Sequence, residues 1–316
     1  MLGVLSLTGP IFLVIAAGYV ATRIGLFERA EMRVFGKYVI HLALPALLFN
    51  ALSQRSVAEV LNPVFVAAYA IGGVTSMLIG IVWARKFARK SVSESAIVGM
   101  GMSCPNSGFI GFPLILQVFG AATAGIGLAL AMVVENFVLL PLALAIADSD
   151  VGEAGGTKAR RLRSALAQSM RALVRNPMIW GIAVGFAFSL FDWHLPDSMQ
   201  KAVNIFAAST AAISLFVIGG SLVGLQVHGL KRDVTVIAVG KLLVHPLLVL
   251  GLVWLLPPMQ RELQAAVVIM AAVPMLGIYP ILAQKHGHDA MAAAAQLVTT
   301  VASFVTLTAL LWAIGK

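Results

Sequence analysis

Residues 63–84 pass without a single charged side chain, and apolar runs of similar length recur from one end of the chain to the other. A helix needs about 20 apolar residues to cross the hydrocarbon core of a bilayer. Inside that core every backbone amide must be satisfied by the protein itself. A chain made of such runs is confined to packed helices in a membrane. Composition agrees: 60% of the 316 residues are hydrophobic and 11% are charged, against about 25% charged in a soluble domain. The expected class is an all-α polytopic membrane protein with ten transmembrane helices, at roughly 5–23, 36–54, 63–84, 95–119, 122–147, 177–192, 202–226, 233–256, 262–285 and 290–314. The first 23 residues contain small residues like those of a signal-peptide cleavage site but lack a basic leading region, so they read as the first span. Cys104 is the single cysteine, which leaves no disulfide and no cysteine cluster for a metal. No metal-ligand spacing and no nucleophile–base pair stands out, so neither a cofactor nor an enzyme is expected.

The net charge of +9 is distributed unevenly. Seventeen lysines and arginines follow the odd-numbered spans, among them Arg85, Lys86, Arg89 and Lys90 after the third and Lys231 and Arg232 after the seventh. Four occupy the opposite side: Arg55, Lys201, Arg261 and Lys316. The positive-inside rule then puts the basic loops in the cytoplasm and both termini on the non-cytoplasmic side of a bacterial inner membrane. The basic cluster from Lys158 to Arg175 reads as a topology-setting surface near anionic lipid rather than as a nucleic-acid site. It belongs to a linker, 148–176, that could carry an amphipathic cytoplasmic helix. The linker divides the chain into five-span halves, 1–147 and 177–316.

The halves resemble each other. A shift of 167 residues superimposes Pro10 on Pro177, Gly18 on Gly185, Phe49 on Phe216, Pro113 on Pro280, Gly120 on Gly287 and Phe137 on Phe304. An odd number of spans per half requires the second to be inverted, as in many secondary transporters.

The fourth span is interrupted at its centre by Pro105, Asn106, Ser107 and Gly108. Proline removes a backbone donor and clashes with the preceding turn, and Asn, Ser and Gly all weaken helix. The ninth span is interrupted by Pro274, with Gly277 and Pro280 following, two residues out of step with the 167-residue shift. Paired interruptions in corresponding spans point to a transport site, and a helix that restarts there presents free N–H groups and a positive dipole end to an anion. The candidate substrate-binding residues are Pro105, Asn106, Ser107 and Gly108, then Pro274, Met275, Gly277 and Tyr279, with Asn50 of the second span. Asn106 can donate its amide to a carboxylate or cap the restarting helix. Ionisable groups within spans are costly and point to function, so Glu135, Lys241, His245 and His41 are candidates for proton or ion coupling. Gly72-Gly73 and Gly219-Gly220 suit close helix packing.

Pro105-Asn106, Gly111-x-Pro113-Leu114 and Gly120, repeated as Ala272-Val273-Pro274, Pro280, Ala283 and Gly287, resemble the auxin efflux carrier family of the bile acid/arsenite/auxin transporter superfamily. Leu44-Pro45-Ala46-Leu47-Leu48-Phe49 fits as well. The resemblance implies two inverted repeats. Spans one, two, six and seven would form a scaffold, and spans three to five and eight to ten a moving transport domain. The fourth and ninth spans would cross at their prolines. It implies export of small organic anions, mono- or dicarboxylates, by an elevator-type motion, and by analogy a homodimer through the scaffold. The short linker resembles the bacterial branch. Met275-Leu276 is apolar where plant-type carriers are expected to be more polar. A sodium-coupled bile-acid-type symporter and a non-transporting membrane receptor are the alternatives. The lack of a carboxylate-rich cage favours proton or membrane-potential coupling over sodium.

Overall fold

The computed structural model describes residues 2–55, 61–149, 174–225 and 231–315, with side chains from Thr8 onward in the first stretch. The linker helix expected over 158–175, and most of its basic residues, lie outside the described residues. Helices account for nearly all of what is described: α1 (Leu2–Arg23), α2 (Arg29–Ser53), α3 (Pro63–Lys86), α4 (Val92–Ser103), α5 (Ser107–Asp148), α6 (Pro177–Leu190), α7 (Asp197–Ser221), α8 (Lys231–Leu255), α9 (Arg261–Ala272), α10 (Tyr279–Gln284) and α11 (Asp289–Ala313). Among the described residues six are long and apolar enough to cross a membrane: α2, α3, α5, α7, α8 and α11. The apolar stretches of α1 and α6 are shorter. The remaining two apolar runs are split, one between α4 and the first arm of α5 and the other between α9 and α10. The seventh span differs from expectation. Its helix starts at Asp197 and stops at Ser221, because Gly224, at φ +78°, turns the chain before 226 is reached.

Two glycines make the corners that follow the split runs. Gly120 bends α5 with φ +83° and ψ +175°, a conformation essentially confined to glycine. Gly287 has φ +75° between α10 and α11. These two superimpose in the 167-residue shift.

A second regularity involves proline. Val39–Ala43, Ser107–Gly111, Glu135–Leu139 and Gly240–Val244 are single π-helical turns, and Pro45, Pro113, Pro141 and Pro246 each follow one residue after the turn ends. In each, the residue before the proline donates its N–H five residues back, as Leu140 does to Glu135 and His245 to Gly240. A wide turn of this kind relieves the clash and the missing donor that proline brings.

Packing sorts the helices into two groups. In the first, α1, α2, α6 and α7 come together. Gly219 of α7 lies so close to Ile15 that an added β-carbon would meet its carbonyl, and Gly181 sits in the same way on Pro45. In the second, α3, α4, α5 and α8 to α11 interlock. Gly72 is pressed on Val249, Gly73 on Leu139 and Gly240 on Met102. Contacts between the groups include Phe12 edge-on to Phe304 at 4.8 Å, Thr8 with Thr308 at 3.3 Å, Gly125 pressed on Ala51, and Asn176 donating to Asn136 at 3.2 Å.

The basic connections expected on one side meet at one end of the molecule. Lys90 pairs with Asp233 at 2.7 Å and with Glu94, and Arg232 lies over the Trp83 ring at 5.4 Å. Ser93 contacts His286 Nδ1 at 3.1 Å, and the other nitrogen of that ring faces Asp148 at 3.5 Å.

Candidate functional site

The two interruptions meet. The helix of α4 ends at Ser103 and that of α9 at Ala272, two residues out of step with the 167-residue shift, as their prolines are. The unwound residues then pair as a minimal antiparallel bridge between Pro105 and Met275. Asn106 N–H donates to the Pro274 carbonyl at 2.8 Å, and Leu276 N–H to the Cys104 carbonyl at 3.0 Å. Each broken run satisfies backbone groups that the other exposes, which is what an opened helix buried at this depth requires.

Further carbonyls of the ending helices are answered by side chains. Ser76 of α3 donates to Met102 O at 3.0 Å, and Ser103 folds back on Gly99 O. Tyr279 donates to Ile97 O at 2.9 Å. Lys241 of α8 donates to Ala271 O at 2.5 Å and lies 3.2 Å from His245 Nδ1. Lys241 and His245 are both 0% exposed. Since α8 carries Lys241 on its π-helical turn and rests Gly240 on Met102, the ammonium reaches the end of α9 rather than the lipid.

On the restarting side Asn106 is the N-cap of α5. Its Oδ1 accepts from Phe109 N–H at 3.4 Å, which turns Nδ2 toward Gly277. A β-carbon built on Gly277 would stand 3.7 Å from Asn106 Nδ2, 4.0 Å from Gln296 Nε2 and 3.9 Å from Ile218 Cδ1. The space that Gly277 leaves open is therefore flanked by two amide donors and one apolar side chain. Gln296 of α11 also donates to Gly277 O at 3.2 Å. The site reaches an accessible face at Gly277 and Ile278. Leu44 of α2 closes on Gly108, and Ile218 of α7 lies by Gly277, so the first helix group touches the crossing on both sides. Beneath Asn106, Ser107 donates to Glu135, and Tyr69 donates to the same carboxylate oxygen at 2.7 Å. The Tyr69 ring lies 6.1 Å from the His245 ring.

Of the residues singled out in the sequence, Pro105, Asn106, Ser107, Gly108, Pro274, Met275, Gly277, Tyr279, Glu135, Lys241 and His245 converge on this crossing. Tyr279 is fully buried, with its hydroxyl committed to Ile97, and Met275 is packed within the bridge. Asn50 lies elsewhere. It accepts from Gln54 and from Gln200, each at 2.7 Å, near the start of α7. The 18 residues from Gln200 to Ile218 correspond to about 27 Å of helix. His41 is exposed and bonded to Lys37 O of its own helix. Tyr69 and Gln296 were missed. Both are polar residues within apolar spans, and their position there was the available signal. A cavity of about 630 Å³ near Phe119, Trp254 and Arg261 and a cleft of about 260 Å³ near Gln54 and Gln200 do not reach the crossing. No group of three or more potential metal ligands occurs among the described residues.

Known proteins agree with this reading of the chain as a membrane carrier. A family described as "Membrane transport protein" matches residues 4–313. A "Putative malonate transporter" of Rhizobium meliloti (strain 1021) is 27% identical over 99% of this chain and 97% of its own length. An uncharacterized transporter, YfdV, of Escherichia coli (strain K12) is 22% identical over 96% of this chain and 94% of its own. An uncharacterized transporter of Methanothermobacter thermautotrophicus is 25% identical over 96% of this chain and 95% of its own.

Proposed function

Given that the chain belongs to the membrane transport protein family of auxin efflux carriers, we propose that it is a secondary transporter of a small organic anion, a dicarboxylate of the malonate class. The observation that carries this reading is the open space at Gly277 flanked by the Asn106 and Gln296 amides. Carboxylates take two or more donors each, and charge-assisted bonds of this kind are the strong ones. The first N–H groups of α5, which have no partner within the helix, add positive potential on the same side. The name of the Rhizobium relative supports the dicarboxylate class. Met275 and Leu276 add no polar side chain to the ninth run, and the Gln296 amide from α11 stands in for one.

The proposed architecture has ten crossings in two inverted five-span repeats. The group of α1, α2, α6 and α7 is the scaffold, and the group of α3 to α5 with α8 to α11 is the moving part. Glycines pressed on backbone or branched side chains within each group, as Gly219 on Ile15 and Gly72 on Val249, support motion of each group as a unit in an elevator-type cycle. Sidedness follows the basic loops, with both termini outside the cytoplasm of an inner membrane. Glu135, with Tyr69, is the proposed proton carrier.

A thermal-shift series with malonate, succinate, oxalate, acetate and indole-3-acetate on purified protein, followed by counterflow in proteoliposomes, tests the reading. A dicarboxylate that stabilises the protein and exchanges across the membrane is the expected result. Stabilisation without counterflow would favour a receptor. No response to any anion would remove the carboxylate reading altogether.

A further inference from the structure

At the end of the molecule away from the basic connections, α8, α9 and α11 enclose the cavity of about 630 Å³ that does not reach the crossing. The helix α8 begins at Lys231, close to the Lys90–Asp233 pair, and runs 25 residues to Leu255. That is about 37 Å of helix, against about 30 Å of hydrocarbon in a bilayer, so its far end stands at the opposite membrane boundary. Trp254 and Trp312, 78% and 61% exposed, lie there, and tryptophan is enriched at the level of the lipid headgroups. Most of the cavity wall is apolar, with Trp254 of α8, Val268 of α9, Leu310 of α11 and Phe119 of α5 among its members. Its polar lining residues, Arg261, Glu262 and Gln264, all sit in the first turn of α9. The cavity is thus polar along one edge and oily elsewhere, at the depth where headgroups give way to acyl chains.

The polar edge carries both signs of charge. Arg261 and Glu262 are adjacent and exposed. Thr123 of α5 donates to Glu262 Oε2 at 2.8 Å and holds the carboxylate at the mouth, while Gln264 donates to Met259 O at 3.0 Å. Arg261 has neither a hydrogen bond nor an ion pair among the described residues. The first N–H groups of α9 add positive potential beside it, since Gln260 at the N-cap makes no side-chain bond to them. A phosphate suits that corner, and a cationic donor suits the carboxylate one residue on. A zwitterionic headgroup offers both charges, joined by two carbons. A purely anionic headgroup would bring negative charge to Glu262 with nothing to offset it. A choline has no N–H to give the carboxylate, whereas a primary ammonium has three.

We propose that this cavity binds a phospholipid with a primary-ammonium headgroup, phosphatidylethanolamine. Its phosphate lies at Arg261, its ammonium at Glu262 and an acyl chain along the apolar wall. The walls all come from the second helix group, so the lipid braces the start of the broken ninth run against α8 and α11. The proposal does not depend on which anion is carried.

The test is thermal unfolding of delipidated full-length protein in detergent, without any carboxylate. Dioleoyl phosphatidylethanolamine, phosphatidylcholine or phosphatidylglycerol is then added. In the wild type the ethanolamine lipid raises the unfolding temperature by several degrees, and the choline lipid raises it clearly less. Glu262→Gln, which can still accept from Thr123, responds equally to these two. Arg261→Gln responds more weakly to the ethanolamine lipid but keeps the wild-type response to phosphatidylglycerol, whose partners are the basic connections at the other end. Ala313→Trp, at the exposed margin of the cavity, covers it and removes the preference for ethanolamine. Equal responses of the wild type to the ethanolamine and choline lipids overturn the proposal, as does a preference that survives Glu262→Gln. A phosphatidylglycerol response that falls in Arg261→Gln also overturns it, in favour of an anionic lipid. If Glu262→Gln does not fold, Ala313→Trp decides: loss of the preference supports the proposal, and its persistence overturns it. Because no substrate is present, these outcomes are separate from those of the anion screen.

Discussion

At the scale of single residues, Asn106 has two jobs that substitution can separate. Its Oδ1 caps α5 and its Nδ2 faces the space at Gly277. Losing an N-cap costs about 1 kcal/mol of stability, and losing a hydrogen bond to a charged group costs about 1.5–3 kcal/mol of affinity. Asn106→Ala should lower both the melting temperature and the affinity for the dicarboxylate. Asn106→Asp keeps a good cap but replaces the donor with a negative charge. It should melt near the wild type while binding is abolished in isothermal titration. Binding that survives in Asn106→Asp would make Asn106 a cap and nothing more. Gln296→Leu preserves bulk and removes the second amide donor, so the affinity should fall at least tenfold, read by the same titration. Asn106 could be found from the sequence because Pro, Asn, Ser and Gly stand together in an apolar run. Gln296 could not be assigned to the site in the same way. Its role depends on α11 lying beside a break far away in the chain, and its neighbours form an ordinary alanine-rich helix.

At the scale of elements, most of the architecture was readable because the bilayer imposes length and apolarity, and because proline and glycine mark where helices must stop. The splits at Pro105 and Pro274 and the corners at Gly120 and Gly287 are of this kind. The four π-helical turns were not readable. One extra residue in a turn leaves the apolar pattern intact, and only the structure reveals that His41, Ser107, Glu135 and Lys241 each lie in such a turn. The extent of the seventh span was also misjudged, since the polar start of α7, from Asp197 to Asn204, hides a helix that hydropathy alone begins at 202. The Gly120 corner offers a clean measurement. Its φ and ψ lie in a region where any β-carbon is strained, at a cost of about 1–3 kcal/mol. No atom stands within 4 Å of the position a β-carbon would take, so strain alone is tested. Gly120→Ala should therefore lower the melting temperature, whereas Gly251→Ala, within α8 and equally uncrowded, should leave it unchanged or raise it. Equal effects would mean that the corner relaxes freely.

At the scale of the whole molecule, the decisive question is whether the two helix groups move against one another. Contacts within each group are interlocked through glycines pressed on backbone or on branched side chains, and such surfaces cannot slide without unpacking. Between the groups lie an aromatic edge, a pair of threonines, an asparagine pair, Leu44 on Gly108, Ile218 by Gly277, and Gly125 pressed on Ala51, which must part before the groups can slide. Thr8 and Thr308 belong to opposite groups, and their hydroxyls are 3.3 Å apart. Hydroxyls that close bring the two side-chain tips within reach of a cross-link, and a disulfide forms where the α-carbons stand about 4–7 Å apart. The protein's own Cys104 is buried and can be removed as Cys104→Ser. In that background, oxidised Thr8→Cys/Thr308→Cys protein should keep its affinity for the dicarboxylate but lose counterflow, and a reductant should restore it. Transport that continues with Thr8 and Thr308 joined would require the anion to pass through a fixed frame, with only the crossing itself rearranging around it.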